Sequence, residues 1–135
     1  MHLRKLGTQG LEPPAIGLGT MGAAMVANLQ KAGLGTMGMS GLAGMQAMYG
    51  ATDTDEAIAT IHRALEIGIN FFDTAEIYGP YTNEQLLGRA LAGRRGQAII
   101  ATKFGFRIEN GRMAGIDGRP ENVRRALDGC LARLG

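Results

Sequence analysis

The sequence predicts an α/β fold with parallel strands, and three observations carry that reading: an apolar run ending at Asp73, a helix-patterned segment after it, and a second apolar run ending at Lys103. Ile69, Asn70, Phe71 and Phe72 lead into polar Asp73-Thr74, as a buried parallel strand does at its carboxyl rim. After the loop Glu76 to Tyr81, Thr82 and Gln85 stand at capping-box spacing. Leu86, Leu87, Ala90 and Leu91 then share one helical face, and Gly93 closes the helix. Gln97 to Thr102 is the second strand, buried like the first, with Lys103 at its carboxyl end.

A strand-helix-strand crossover makes its two strands parallel, and parallel neighbours lie roughly 4.8 Å apart. Asp73 and Lys103 therefore emerge on one rim, where an ion pair is geometrically easy. Tyr78 belongs to the loop above the same rim, the side on which α/β proteins bind ligands. A free phenol titrates near about 10 and donates a proton poorly at neutral pH, whereas an ammonium beside it favours the phenolate. Taken singly, Asp73 reads as a loop cap, Tyr78 as a packing residue and Lys103 as a solvated strand end. Their convergence on one rim is what points to chemistry.

The words FFDTAEIYG (Phe71 to Gly79) and ATKFG (Ala101 to Gly105), at this spacing, resemble the aldo-keto reductase family. In that family an Asp, a Tyr, a Lys and a His surround a carbonyl substrate on a (β/α)8 barrel, and NADPH delivers hydride to the carbonyl carbon. The resemblance implies Tyr78 as general acid, Lys103 as the cation that assists it, and Asp73 as the anchor of Lys103. It implies Gly19, Thr20 and Met21, with Asp73, as residues contacting NADPH. The family's His lies on the strand after the next helix, so the expectation is that this chain reaches Gly135 before it and acts weakly or not at all.

A complete (β/α)8 barrel needs about 250 residues, and the chain has 135. The predicted fold is thus a partial (β/α)8 TIM-type barrel, read as one domain over 1–135, with about three βα units, an N-terminal hairpin and an inserted helix. A partial barrel leaves strand edges unpaired, which suits a homo-oligomer covering the exposed barrel edges and raises a second reading, a non-catalytic structural or assembly domain.

A net charge of +2 is too small to point to nucleic acid, and the arginines sit mostly in loops and on helix surfaces. The single Cys130 excludes an intrachain disulfide and lies on an apolar helical stripe, so it reads as a buried small residue in a reducing cytoplasm. Neither a signal peptide nor a membrane span is indicated, and no metal-ligand set is read.

Along the chain, Gly7 to Gly10 and Pro13-Pro14 suit a small hairpin over Met1 to Pro14. Ala15 to Thr20 is the candidate first strand. The word GLGTMG then occurs twice, at Gly17 to Gly22 and at Gly33 to Gly38, which an internal duplication or a splice explains most simply. The second copy continues as Met39-Ser40, as in aldo-keto reductases. The first opens IGLGTMGAAMVANLQKAG, which is similar to the start of β-hydroxyacid dehydrogenases, and gives a third reading: a Rossmann-type dinucleotide binder through Gly17, Gly19 and Gly22. That site needs an acidic residue on a second strand about 20 residues on, and Gly33 to Ala51 holds no acid. The preferred arrangement puts the first copy in strand one, with Ala23 to Ala32 as an inserted helix and 23–50 as the insertion or duplication. The alternative gives strand one to the second copy.

Asp53 to Glu56 supplies a cap and first-turn negative charge for a helix bearing Ile58, Ile61 and Leu65, with His62 at its surface and Gly68 at its end. Phe104 to Gly118 reads as a long polar loop at the rim. Pro120 fits the first position of a last helix, with Val123, Leu127, Leu131 and Leu134 on its buried side.

Overall fold

The structure, a computed structural model, describes residues 2–15, 18–19 and 53–135. The expected inserted helix, the 23–50 insertion, Thr20, Met21 and the second GLGTMG copy lie outside the described residues, as do Gly17 and Gly22.

The N-terminal hairpin forms as expected, pairing Leu3 with Pro14 and Leu6 with Leu11. Gly7 and Gly10, at φ +71° and +81°, allow the reversal between them. Strand β1 (Leu18–Gly19) comes from the first GLGTMG copy, as preferred. Helix α1 (Thr54–Glu66) starts where the Asp53 carboxylate accepts the Asp55 and Glu56 backbone N–H groups at 2.8 and 3.3 Å. Then come β2 (Phe71–Asp73), α2 (Thr82–Ala90), a single 3₁₀ turn (Arg95–Gln97) and β3 (Ile99–Ala101). The three strands form one parallel sheet in the order β1-β2-β3, with Leu18 opposite Phe72, Gly19 opposite Asp73, and Asp73 opposite Ala101. Each strand is followed by a helix, giving the three expected βα units, and the sheet is not closed into a barrel among the described residues.

Side chains alternate along β2, so Phe72 is buried while Phe71 and Asp73 face the other way, half-buried. Phe72 joins Ile61 and Ala64 of α1 and Leu86, Leu87, Ala90 and Leu91 around α2 in one core. His62, expected at the surface, is instead half-buried with Nε2 2.8 Å from the Ala90 carbonyl oxygen, tying α1 to the end of α2.

Five further expectations need correction. The capping box at Thr82 does not form: Tyr81 is the cap residue, in a left-handed conformation, and the Thr82 hydroxyl donates back to the Gly79 carbonyl at 2.7 Å. Helix α2 also stops at Ala90, ahead of Gly93, because Ala92 and Arg94 bond into a tight turn on Arg89 and Leu91. Strand β3 is half-buried throughout, since it has β2 on one side and no described strand on the other.

The stretch read as a polar loop is an antiparallel hairpin, β4 (Phe106–Glu109) and β5 (Arg112–Ile116), turned at Asn110-Gly111 with φ of 50° and 71°. Asn-Gly between alternating residues is a strong hairpin signal, and both φ values suit it. Finally, helix α3 (Pro120–Leu134) begins at Pro120 as expected but buries Asn122, Ala126, Cys130 and Leu134. Leu127 and Leu131 stay 56% and 59% exposed, because the helix is turned to seat Arg133 against α2. Helices α2 and α3 touch closely at Gly88, where a Cβ would stand 2.0 Å from the Arg133 carbonyl oxygen.

The burial expected for Cys130 holds, and it has a pH consequence. Burial, and then the carboxylate of Glu84, push the thiol up to about 11 from an ordinary 9.0. The folded state thus keeps a proton that the unfolded chain gives up first. The stability this contributes is fully present below about 9 and is lost as pH rises towards about 11. We expect the denaturant midpoint to fall across that window, and to fall less in Cys130→Ala; iodoacetamide should alkylate the folded protein slowly at pH 8 and the unfolded chain quickly.

Candidate functional site

The site is assembled at the carboxyl ends of β2 and β3. Thr74 N–H donates to the Ala101 carbonyl at 2.8 Å and Glu76 N–H to the Lys103 carbonyl at 3.1 Å, extending the pairing beyond the strands. This brings the Lys103 ammonium onto the Asp73 carboxylate, with which it is hydrogen-bonded and ion-paired. The same Nζ donates to the Thr74 carbonyl at 2.9 Å and lies 3.4 Å from the Tyr78 hydroxyl and 5.1 Å from the centre of its ring. Asp73, Tyr78 and Lys103 are thus one cluster, as expected, with Tyr78 only 8% exposed. Gly19, across the register from Asp73, places β1 on the same rim.

Glu76 shapes the rim from below. Its buried carboxylate accepts the Gly105 and Phe106 backbone N–H groups at 3.1 and 3.2 Å, fixing the chain that leaves β3. Sequence reasoning missed this residue, because a Glu between two small or apolar neighbours in a loop has no spacing that marks it. The chain's two histidines are His2, in the hairpin, and His62, on α1 against the Ala90 carbonyl at the end of α2. Neither belongs to the cluster.

A cleft of about 390 Å³ lies beside the β4-β5 hairpin, lined by Arg107, Ile116, Asp117, Gly118 and Arg119. None of the rim cluster lines it. Its arginines are already engaged: Arg119 grips Asp117 at 2.7 Å, and Arg107 meets Glu109 at 3.2 Å and the Ala114 carbonyl at 2.7 Å. The hydrogen bonds from Arg119 hold the Asp117 carboxyl down at about 2. No group of three or more His, Cys, Asp or Glu residues among those described could hold a metal ion, and no described helix is long and apolar enough to cross a membrane.

A parallel sheet with a helix after each strand, carrying a carboxylate, an ammonium and a phenol at the strands' carboxyl ends, defines an α/β protein of the barrel type with a polar rim site. The sequence pattern of the Aldo/keto reductase family matches residues 31–135, and the chain belongs to that family. The match includes the second GLGTMG copy but not Leu18–Gly19, which form β1.

Among solved structures the chain is similar to an aldo-keto reductase of Bacillus halodurans in its holo form, with 32% identity and a TM-score of 0.74 over 99% of this chain and 36% of that one. It is similar to the glycerol dehydrogenase of Gluconobacter oxydans, with 29% identity and a TM-score of 0.70 over 98% of this chain and 35% of that one. An aldo-keto reductase of Klebsiella pneumoniae in complex with NADPH shares the fold, at 20% identity and a TM-score of 0.52 over 91% of this chain and 32% of that one. The chain therefore spans little more than a third of the length of the first two.

Proposed function

We propose that the chain carries the rim site of an NADPH-dependent carbonyl reductase, with Tyr78 as proton donor to a carbonyl oxygen, Lys103 as the cation beside it and Asp73 as the anchor of Lys103. One observation carries the reading: the Lys103 ammonium is held between the Asp73 carboxylate and the Tyr78 hydroxyl. A cation there stabilises negative charge on the phenol oxygen as its proton leaves, and the pairing with Asp73 keeps that cation from swinging into solvent.

The cofactor fits this rim in part. Gly19 pairs with Asp73 at the end of β1, and with Thr20 and Met21 it would hold the nicotinamide end. NADPH, when bound, supplies the hydride. The two arginines of the cleft beside the β4-β5 hairpin are paired with Glu109 and Asp117, and weak binding is expected.

A melting experiment tests the reading. NADPH at a hundredfold excess over its dissociation constant should stabilise the fold by about 2.7 kcal/mol. The upward shift in melting temperature should persist in Tyr78→Phe, which removes the proton donor and leaves the anchor. Robust NADPH oxidation with a small aldehyde, lost in Tyr78→Phe, would show a complete site; an unmoved transition at millimolar NADPH would remove the cofactor from this proposal.

A second reading, a non-catalytic assembly domain, is favoured by the outer edge of β3, which has no described strand partner, and by exposed Leu127 and Leu131 on α3. Light scattering separates the two, since assembly requires a defined oligomer.

A further inference from the structure

The two side chains next to the rim cluster are both held by the first turn of α2. Thr74 follows Asp73, and its hydroxyl donates to the Asn83 side-chain oxygen at 2.8 Å, with both residues buried. Thr102 precedes Lys103, and its hydroxyl donates to Glu84 Oε1 at 2.6 Å. The other oxygen of Glu84 accepts Arg133 Nε at 2.7 Å, and the Glu84 side chain is fully buried. Arg133 also stacks 4.5 Å above the Tyr81 ring, so the start of α2 is clamped by the last turn of α3. Two consecutive residues of one helix thus grip the ends of two adjacent strands, one beside each member of the Asp73–Lys103 pair.

We propose that Asn83 and Glu84 are positioning residues that set the separation of the Asp73 carboxylate and the Lys103 ammonium through Thr74 and Thr102, with Arg133 fixing the turn that carries them. The inference rests on the rim reading above in taking that pair as the working part of the site. A hydroxyl-to-carboxylate bond of 2.6 Å is short and charge-assisted, and it leaves Thr102 little freedom to rotate. Lys103 is the next residue on the chain, so any tilt of the β3 end moves its Nζ off Asp73 and the Thr74 carbonyl together. The carbonyl of Thr74 itself accepts from Lys103, so Asn83 steadies one of the groups that hold the ammonium.

The test reads the ammonium directly. The lysines are Lys5, Lys31 and Lys103, so 15N-lysine labelling gives few Nζ signals, and Lys103→Arg identifies the one from Lys103. In the wild type that signal should stand apart from the others. Thr102→Val keeps side-chain volume and the Glu84–Arg133 pair but removes the donated bond. It should move the Lys103 signal towards the free-lysine position while the far-ultraviolet circular dichroism stays unchanged, and Thr102→Ser should restore it. Thr74→Val should do the same from the Asp73 side.

Where the wild type turns over a carbonyl substrate, Thr102→Val should lower kcat by about 10- to 100-fold with little change in KM. Absence of NADPH binding in the wild type would sink the reductase reading and leave the nitrogen signal as the measure of positioning. A Lys103 signal unchanged by both valine variants overturns the proposal. So does loss of the cooperative melting transition in both, since the hydroxyls would then hold the fold together rather than the site.

Discussion

Gly88→Ala should be the most damaging small change in this chain. Alanine is the better helix former by about 1 kcal/mol, and at an exposed helical position it would stabilise. Here its Cβ would stand 2.0 Å from the Arg133 carbonyl oxygen and 3.1 Å from the carbonyl carbon, which are backbone atoms with no rotamer to escape into. Helices α2 and α3 would have to separate, loosening the contact of Glu84 with Arg133 and the packing of Cys130 and Leu134. Overpacking against backbone costs about 3 kcal/mol, well above the propensity gain. We expect a melting temperature lower by roughly 10 °C, measured by circular dichroism. An unchanged melting temperature would mean that the two helices have room to part.

The second large effect should come from Arg133→Met. The Glu84 side chain is fully buried, and its carboxylate is ion-paired with Arg133 and accepts from Thr102. Removing the partner of a buried charge costs about 3–5 kcal/mol, because the remaining charge has neither water nor a counter-ion. The methionine fills much of the same volume, so little of the loss is a cavity effect. Glu84→Gln combined with Arg133→Met should recover a large part of it, since the amide still accepts from Thr102 and carries no charge. A double variant no more stable than Arg133→Met would show that packing over Tyr81, rather than charge, is what Arg133 supplies.

The central strand-helix-strand unit was legible in the sequence because period and punctuation agreed there: apolar runs of strand length, polar residues at their ends, and a leucine face between. That agreement brought Asp73, Tyr78 and Lys103 to one rim before any coordinates. The phase of α3 was not legible, since the apolar rows through Leu127 and through Cys130 differ by one residue. The choice between them falls to Arg133, whose partner Glu84 is distant in sequence. The β4-β5 hairpin was overlooked because the polar composition of Phe104 to Gly118 outweighed its Asn-Gly turn. Glu76 and Glu84 left no local trace either: each works through backbone or side-chain groups brought to it by the crossover, and that pairing exists only in three dimensions.

The register of β1 bears on the order in which this site comes together. Two residues of β1 pair with β2, against three of β3, and the chain closing the β1–β2 pairing is roughly twice as long, which adds about 0.6 kcal/mol of loop-closure entropy. The β2-α2-β3 unit, with the Asp73 and Lys103 ends it carries, therefore has the lower entropic barrier and can form while the first strand is still undocked. Of the three strands, β1 is expected to dock last and to leave first. The charged pair outlasts the edge beside it, so partial opening of the protein uncovers the flank of Asp73 before it disturbs the lysine, and amide exchange at Gly19 would run ahead of exchange at Ile100.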